Sequence, residues 1–411
     1  MKKASIALMG VVLLLASCAP DMNNEEEIVQ DDESEEETAI VPSNQLSEEN
    51  YRMILPYQPS EARGIIVDQV ANRLDIDEME QGMRRHSMEV YDPSDHYFQE
   101  GQYITESMVY DWLGRELTGE QFETELQEEI DRLEAAEMTI NDEVIQNIED
   151  DLQKGHNPPI EDDEDQEMHE ENPRYLSHIL EQNYLTQGEG EDDSVQLAGI
   201  SIGLALKSVY RFQTEIGGPY YYEDIPENEM MEQGQEIAQS VLEEVRQLEG
   251  LENVPVMFSL YREEEQSSPV PGNFVAKTNV SGGETSIDDW ESIDEETVLF
   301  PSDEGRDKYF EDHEIVSNFG DEIAEFFPNY TGIIGEGFYI DGQLQKLTIE
   351  IPLQFFGSAE VTGFTQFAYG LVQEMFADYY DLEINITSSD KVESLIYREA
   401  GEDMPNVHIY H

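Results

Sequence analysis

Phe338-Tyr339-Ile340-Asp341-Gly342-Gln343-Leu344-Gln345-Lys346-Leu347-Thr348-Ile349-Glu350-Ile351 is the stretch that decides the fold. Asp-Gly between two such runs suits a type I′ turn, whose left-handed backbone angles join antiparallel strands. Leu347, Ile349, Ile351, Leu353 and Phe355 then put every second side chain on one face, the period of a strand buried on one side. Phe364, Phe367, Ala368, Leu371, Met375 and Phe376 change to helical spacing. Strands around Leu382-Glu383-Ile384-Asn385-Ile386 and Leu395-Ile396-Tyr397 complete the unit. A hairpin followed by a single crossover helix predicts α+β structure with mainly antiparallel sheets and helices on one face.

The same order occurs once more, roughly 130 residues upstream. Ile200, Ile202, Leu204 and Leu206 alternate with Gly199, Ser201, Gly203 and Ala205, a strand with one small-residue face. Ile237, Val241, Val245 and Leu248 form a helical stripe, and strands follow at Val254–Leu260 and Phe274-Val275-Ala276. The expected architecture is therefore two tandem β-α-β-β repeats, 172–285 and 286–411. Ahead of them stand an N-terminal α+β region, 50–118, and an acidic helical insertion with its linker, 119–171. In the former, Thr105 caps a helix carrying Met108, Val109, Trp112, Leu113 and Leu117. In the latter, Phe122, Leu126, Ile130 and Leu133, then Val144, Ile145, Ile148 and Leu152, predict two amphipathic helices packed on the body as a hairpin. The linker holds Pro158-Pro159 and an acidic run from Glu161. Asn172-Pro173 is read as the cap of a short helix with Leu176, Ile179, Leu180 and Tyr184.

The N-terminus supplies an address. Met1-Lys2-Lys3 is a basic start, and the apolar run Ile6 to Ala16 is shorter than the about 20 residues that span a bilayer. It ends in Leu15-Ala16-Ser17-Cys18, a bacterial lipobox in which Leu15, Ala16 and Ser17 fit the signal peptidase. The Cys18 thiol would accept diacylglycerol, two chains being enough for stable anchoring. Residues 1–17 are the expected signal peptide and 18–49 a lipidated, acidic, self-repelling tether. The expected location is the outer face of the cell membrane.

The 411 residues carry 94 Asp and Glu against 21 Lys and Arg, a net charge of -73. Phosphates and anionic head groups repel such a surface, so nucleic acid is excluded as a partner. With one cysteine there is neither an intramolecular disulfide nor a cysteine-based zinc site. No Gly-x-Ser-x-Gly elbow, Walker loop or dinucleotide-binding fingerprint is present, so no catalytic residue, cofactor or metal site is assigned. None of the eight histidines stands in His-Glu-x-x-His spacing, and His169-Glu170 and His313-Glu314 read as surface pairs. The run Glu161 to Glu171 lacks the glycine and the ligand alternation of a calcium loop. Two aromatic groups are candidates for a groove that stacks a peptide, a sugar or a protein partner: Tyr220-Tyr221-Tyr222, and Phe355-Phe356 with Phe364. Packing between the two halves explains the same rings.

Several stretches carry a resemblance. The lipobox, Ile54-Leu55-Pro56-Tyr57 with Arg63-Gly64, Asn72-Arg73-Leu74-Asp75, and Tyr97-Phe98-Gln99-Glu100-Gly101-Gln102 are similar to those of the CamS family of sex-pheromone lipoproteins from Gram-positive bacteria. So are Asn172-Pro173, His178-Ile179-Leu180-Glu181-Gln182, Pro271-Gly272-Asn273-Phe274 and Phe327-Pro328-Asn329-Tyr330. Leu347-Thr348-Ile349-Glu350-Ile351-Pro352, Gly363-Phe364-Thr365-Gln366 and Ala400-Gly401-Glu402-Asp403 complete the set. The resemblance implies a short hydrophobic pheromone trimmed from the cleaved signal, here Val11-Val12-Leu13-Leu14-Leu15-Ala16-Ser17, that promotes conjugative plasmid transfer. It implies a tandem body and brings no catalytic residues. The expectation is a non-enzymatic, surface-anchored body that binds an envelope or extracellular partner. The alternatives are a solute- or peptide-binding lipoprotein of an importer and an extracellular hydrolase using carboxylates. The distribution of carboxylates over the chain also predicts a halophilic surface, stabilised by salt.

Overall fold

The computed structural model describes residues 25–30, 37–42, 45–47, 50–136, 138–188, 194–327, 330–355, 357–388 and 391–410. Leu15, Ala16, Ser17, Cys18 and Phe356 lie outside them.

Two mixed sheets organise the molecule. Strands of the N-terminal part are β1 (Glu25–Gln30), β2 (Glu37–Pro42), β3 (Arg52–Met53), β4 (Tyr97–Glu100), β5 (Leu176–Gln187), β6 (Ser194–Leu206), β7 (Val209–Phe212), β8 (Tyr221–Asp224), β9 (Val256–Arg262), β10 (Asn273–Val280) and β11 (Glu291–Ser292). Its helices are α1 (Ile66–Gln69), α2 (Arg73–Ser87), α3 (Glu106–Trp112), α4 (Gly119–Ala135), α5 (Asp142–Leu152), α6 (Gln166–Glu171) and α7 (Glu227–Val245). The sheet runs β11-β10-β9-β6-β5-β4-β3, while β7 and β8 pair separately. The C-terminal part holds β12 (Glu295–Phe300), α8 (Asp303–Lys308), α9 (Phe310–Phe326), β13 (Ile334–Ile340), β14 (Gln343–Pro352), α10 (Ser358–Met375), β15 (Asp381–Ser388), β16 (Lys391–Arg398) and β17 (Asn406–Ile409), with its strands in sequence order.

The architecture is α+β, and most strand pairs are antiparallel. Each sheet has a central parallel pair joined across a helix, β6 with β9 and β14 with β15. An antiparallel strand lies on either side, β5 and β10 in the first, β13 and β16 in the second. The turn between β13 and β14 has φ of 50° at Asp341 and 71° at Gly342, the left-handed pair that a type I′ hairpin requires.

The faces differ. Ile200, Ile202, Leu204 and Leu206 are fully buried against Val241, Leu242 and Val245 of α7, each contributing about 1.5–3 kcal/mol. The opposite, small-residue face is also covered, which corrects the expectation of helices on one side. There α2 brings Met79 and Met83 against Tyr184, Met257, Tyr261 and Phe274. The approach is close, since a Cβ on Gly82 would stand 2.4 Å from the Phe274 ring. In the second sheet α9 and α10 cover one face through Val316, Phe319, Phe364 and Val372, and Thr348 and Glu350 on the other are half-buried.

Leu176–Gln187 is a strand and not the expected helix. It pairs with β4 on one edge and β6 on the other, and both faces are buried. Polar His178, Glu181, Gln182 and Asn183 are therefore inside, and the apolar residues left over imitate helical spacing. The acidic helices α4 and α5 form at the expected positions, with Thr118 making a reciprocal capping box with Gln121. Yet α4 buries no residue: its stripe of Phe122, Leu126 and Ile130 is half-buried against α5. The pair shields itself more than it packs on the body. Within the expected tether, β1 and β2 pair antiparallel from Glu25–Pro42 to Gln30–Glu37, and β1 touches β6 in parallel. Apolar runs on either side of the carboxylates permit this, and Val41 is fully buried in a cluster with Ile54, Tyr97, Leu185 and Val195.

Candidate ligand-binding site

Beside α2, on the first sheet, lies a cavity of about 390 Å³. Asn72 starts α2, accepting the Leu74 amide and donating to the Ser268 and Val270 carbonyls. One turn on, buried Asp75 accepts the Tyr261 hydroxyl and the Glu264 and Gly272 amides. These bonds pin α2 to the loop before β10. Between α1, α2, the loop before α1 and the strands β4 and β5 lies the cavity.

Its floor consists of Phe98, Ile104, His178 and Ile179, all buried, and its walls include Met53, Ile66, Ile76 and Leu180. Tyr57, Arg63 and Val67 are exposed and form the mouth. Beside them Glu100 accepts the Tyr57 hydroxyl and the Ser60 amide, with Arg63 Nη1 at 3.6 Å. Burial and this carboxylate push the Tyr57 phenol up to about 12. Glu181 accepts three successive backbone amides, Gln102, Tyr103 and Ile104, the last at 2.7 Å. Those bonds hold Ile104 in the wall and set Thr105 to cap α3. Burial keeps the Glu181 carboxyl above the usual range against the pull of the amides.

Burial pushes His178 down to about 3, so its imidazole is neutral at physiological pH. Its Nδ1 is buried without a hydrogen-bond partner among the described residues. Arg84 and Glu80, one turn apart on α2, also line the cavity. A mostly apolar pocket with a few polar groups is the usual chemistry of a small-ligand site. Glu181 is fully engaged in holding its loop, while partial burial keeps the Glu80 carboxyl above the usual range against the pull of Arg84.

A second pair of carboxyls is perturbed nearby: burial raises Asp75 to about 6 and Glu263 to about 7. Both are almost wholly buried, and Asp75 is occupied on both oxygens. Among the described residues there is no three-residue grouping of His, Cys, Asp or Glu suited to a metal, and no helix long and apolar enough to cross a membrane.

A family model described as CamS sex pheromone cAM373 precursor matches residues 57–404. The chain belongs to the CamS family. It is similar to the sex pheromone precursor of Lactobacillus salivarius subsp. salivarius UCC118, with 27% identity over 91% of this chain and 99% of that one, and a TM-score of 0.76. It is also similar to the C-terminal domain of the sex pheromone staph-cAM373 precursor of Staphylococcus aureus, at 25% identity over 84% and 99% of the two chains, with a TM-score of 0.67. Among curated proteins no sequence matches it. Several stretches that carry the CamS resemblance meet at the cavity: Tyr57, Arg63-Gly64, Phe98, Glu100 and His178 to Gln182 all line it.

Of the aromatic groups expected to share a groove, Tyr221 packs on the first core and Phe355 and Phe364 on the second. Tyr221 stacks on Phe212 over the first sheet. Tyr220 is exposed beneath the Arg211 guanidinium, and exposed Tyr222 lines a separate polar hollow of about 750 Å³ with Arg73 and Lys207. Phe364 is fully buried in the second core, edge-on to Phe355 and Phe327. Packing claims Tyr221, Phe355 and Phe364, whereas Tyr220 and Tyr222 face outward. His169, read as a surface residue, is buried between Phe212 and a hydrogen bond to the Tyr210 hydroxyl. Periodicity does not mark the cavity residues, because the apolar positions of β5 imitate helical spacing. Their signal lay in the family stretches.

Proposed function

We propose that this CamS protein is a surface-anchored lipoprotein whose folded body is a non-enzymatic binding module. Signal peptidase cuts behind Ser17, and the Cys18 thiol carries the diacylglycerol. The freed signal yields the hydrophobic peptide 11–17, the pheromone linked to conjugative plasmid transfer, while the body binds an extracellular or envelope partner through an apolar group. The observation that carries the binding role is the apolar cavity beside α2, whose most deeply buried acid, Glu181, is spent on backbone amides. An importer's solute-binding protein calls for two doubly wound lobes, whereas each sheet here has a single central parallel pair spanned by a helix.

Two measurements test this. Expressed in a Gram-positive host, the protein should incorporate labelled palmitate, and Cys18→Ser should abolish the label; an unlabelled wild type overturns the anchor. Nile red, a neutral apolar dye, should bind the wild type and be excluded by Ile76→Trp, which fills the cavity. Equal binding by both proteins removes the cavity from the function.

A further inference from the structure

The cations of this molecule are few, and most near the cavity are already engaged. With 94 acidic residues against 21 basic ones, an arginine finds a carboxylate easily. Arg63 meets Tyr57 and Glu100. Arg85, next along α2, bonds Glu78 at 2.9 Å and Glu295 at 3.1 Å. Arg84 differs. Its guanidinium has no hydrogen bond and no ion pair within 4 Å among the described residues, and it lies 5.5 Å from the centre of the Phe98 ring. Phe98 is itself the buried floor of the cavity. A guanidinium stays charged at any physiological pH, and its planar fork of donors matches a carboxylate.

Resting on the binding reading above, we propose that the cavity takes an apolar chain ended by one carboxylate. The chain lies against Ile66, Ile76, Phe98 and Leu180, and the carboxylate meets Arg84. A volume of about 390 Å³ is at the small end of ligand pockets. It suits a medium-length fatty acid or the last residues of an apolar peptide, two sources of the same chemistry. The neutral His178 ring adds no competing charge to the floor. Glu100 does not oppose the ligand strongly, since the Tyr57 hydroxyl, the Ser60 amide and Arg63 surround it. Glu80 does oppose it, standing four residues before Arg84 on the same helix face and competing for the guanidinium.

The test is calorimetric titration of the full chain in lipid nanodiscs, with empty nanodiscs as the blank. Octanoate is compared with octanamide, its neutral counterpart, and acetyl-Val-Leu-Leu acid with the same peptide amide. Octanoate should bind at least about tenfold tighter than octanamide, the scale of one charge-assisted contact. Arg84→Gln should erase that preference and leave octanamide unchanged, Arg84→Lys should keep part of it, and Glu80→Gln should tighten octanoate alone. The same preference in the peptide pair identifies a peptide terminus as a source; its absence there assigns the site to acyl chains. Equal affinity for octanoate and octanamide, or a preference that survives Arg84→Gln, overturns the carboxylate while the Nile red result leaves the cavity standing. If neither octanoate nor octanamide binds, the proposal falls, and the dye then decides separately whether the cavity binds anything.

Discussion

The two sheets share a connectivity and differ in how closely α2 approaches their second faces. In the first, β6 turns Gly199, Ser201, Gly203 and Ala205 away from α7, and α2 lies against that small-residue face. In the second, β14 turns Lys346, Thr348 and Glu350 away from α10; Lys346 reaches Glu383 at 3.4 Å, and a hollow of about 270 Å³ separates this face from Asp77, Glu78 and Arg85 of α2. Small side chains admit a helix, whereas charged ones need water. Where α2 packs on the first sheet it also walls the cavity, through Ile76, Glu80 and Arg84. The halves are fastened at Glu295, whose buried carboxylate receives Arg85 and lies 3.1 Å from His86 Nε2, while the Arg85 guanidinium sits over Phe338.

The comparison breaks most directly at Gly82. Valine there would be driven into the Phe274 ring, and overpacking on this scale should cost about 3 kcal/mol in urea denaturation. A loss below about 0.5 kcal/mol would mean that α2 does not press on the sheet as described.

Next comes the buried Glu263. Its folded-state pKa of about 7 is above the ordinary 4.5, so the native state binds its proton more tightly than the unfolded chain does. The stability of the wild type relative to Glu263→Gln should therefore fall as pH rises from about 4.5 to about 7, by on the order of 3 kcal/mol in total. Chemical denaturation of both proteins at several pH values reads the difference, and a pH-independent difference contradicts it. At the junction, Glu295→Ala should cost about 2 kcal/mol, less than a fully buried pair because Arg85 keeps partial contact with water. A stability unchanged by that substitution would argue against the lock between the halves.

The smallest effect belongs to the half-buried face of β14: Thr348→Val should change stability by no more than about 0.5 kcal/mol. Salt acts on the whole surface. The melting temperature should rise between about 0.05 and 2 M salt as screening relieves the net charge of -73, and a flat profile refutes the halophilic reading.

Much of this fold is legible in the sequence. The Asp341-Gly342 turn, the alternation of β14 and β6, and the stripes of α7 and α10 all follow from local pattern. The pattern fails at β5, where burial on both faces removes alternation and leaves Leu176, Ile179, Leu180 and Tyr184 at helical intervals. It fails again with the aromatic residues, since exposure of Tyr222 and burial of Phe364 depend on partners distant in sequence. The candidate site was barely legible. Tyr57, Arg84, Glu100 and His178 come from four separate elements and share no spacing.

The sequence by itself determined the family, the α+β class and most of the strands and helices, because turn chemistry and one-sided burial are written in nearest neighbours. Tertiary structure alone decided that α2 closes over the small-residue face of β6, that β5 runs between two strands with polar groups inside, and that Arg84 is left facing an apolar cavity. Those outcomes depend on which distant surfaces meet, and the free energy of that meeting is absent from any local stretch of the chain.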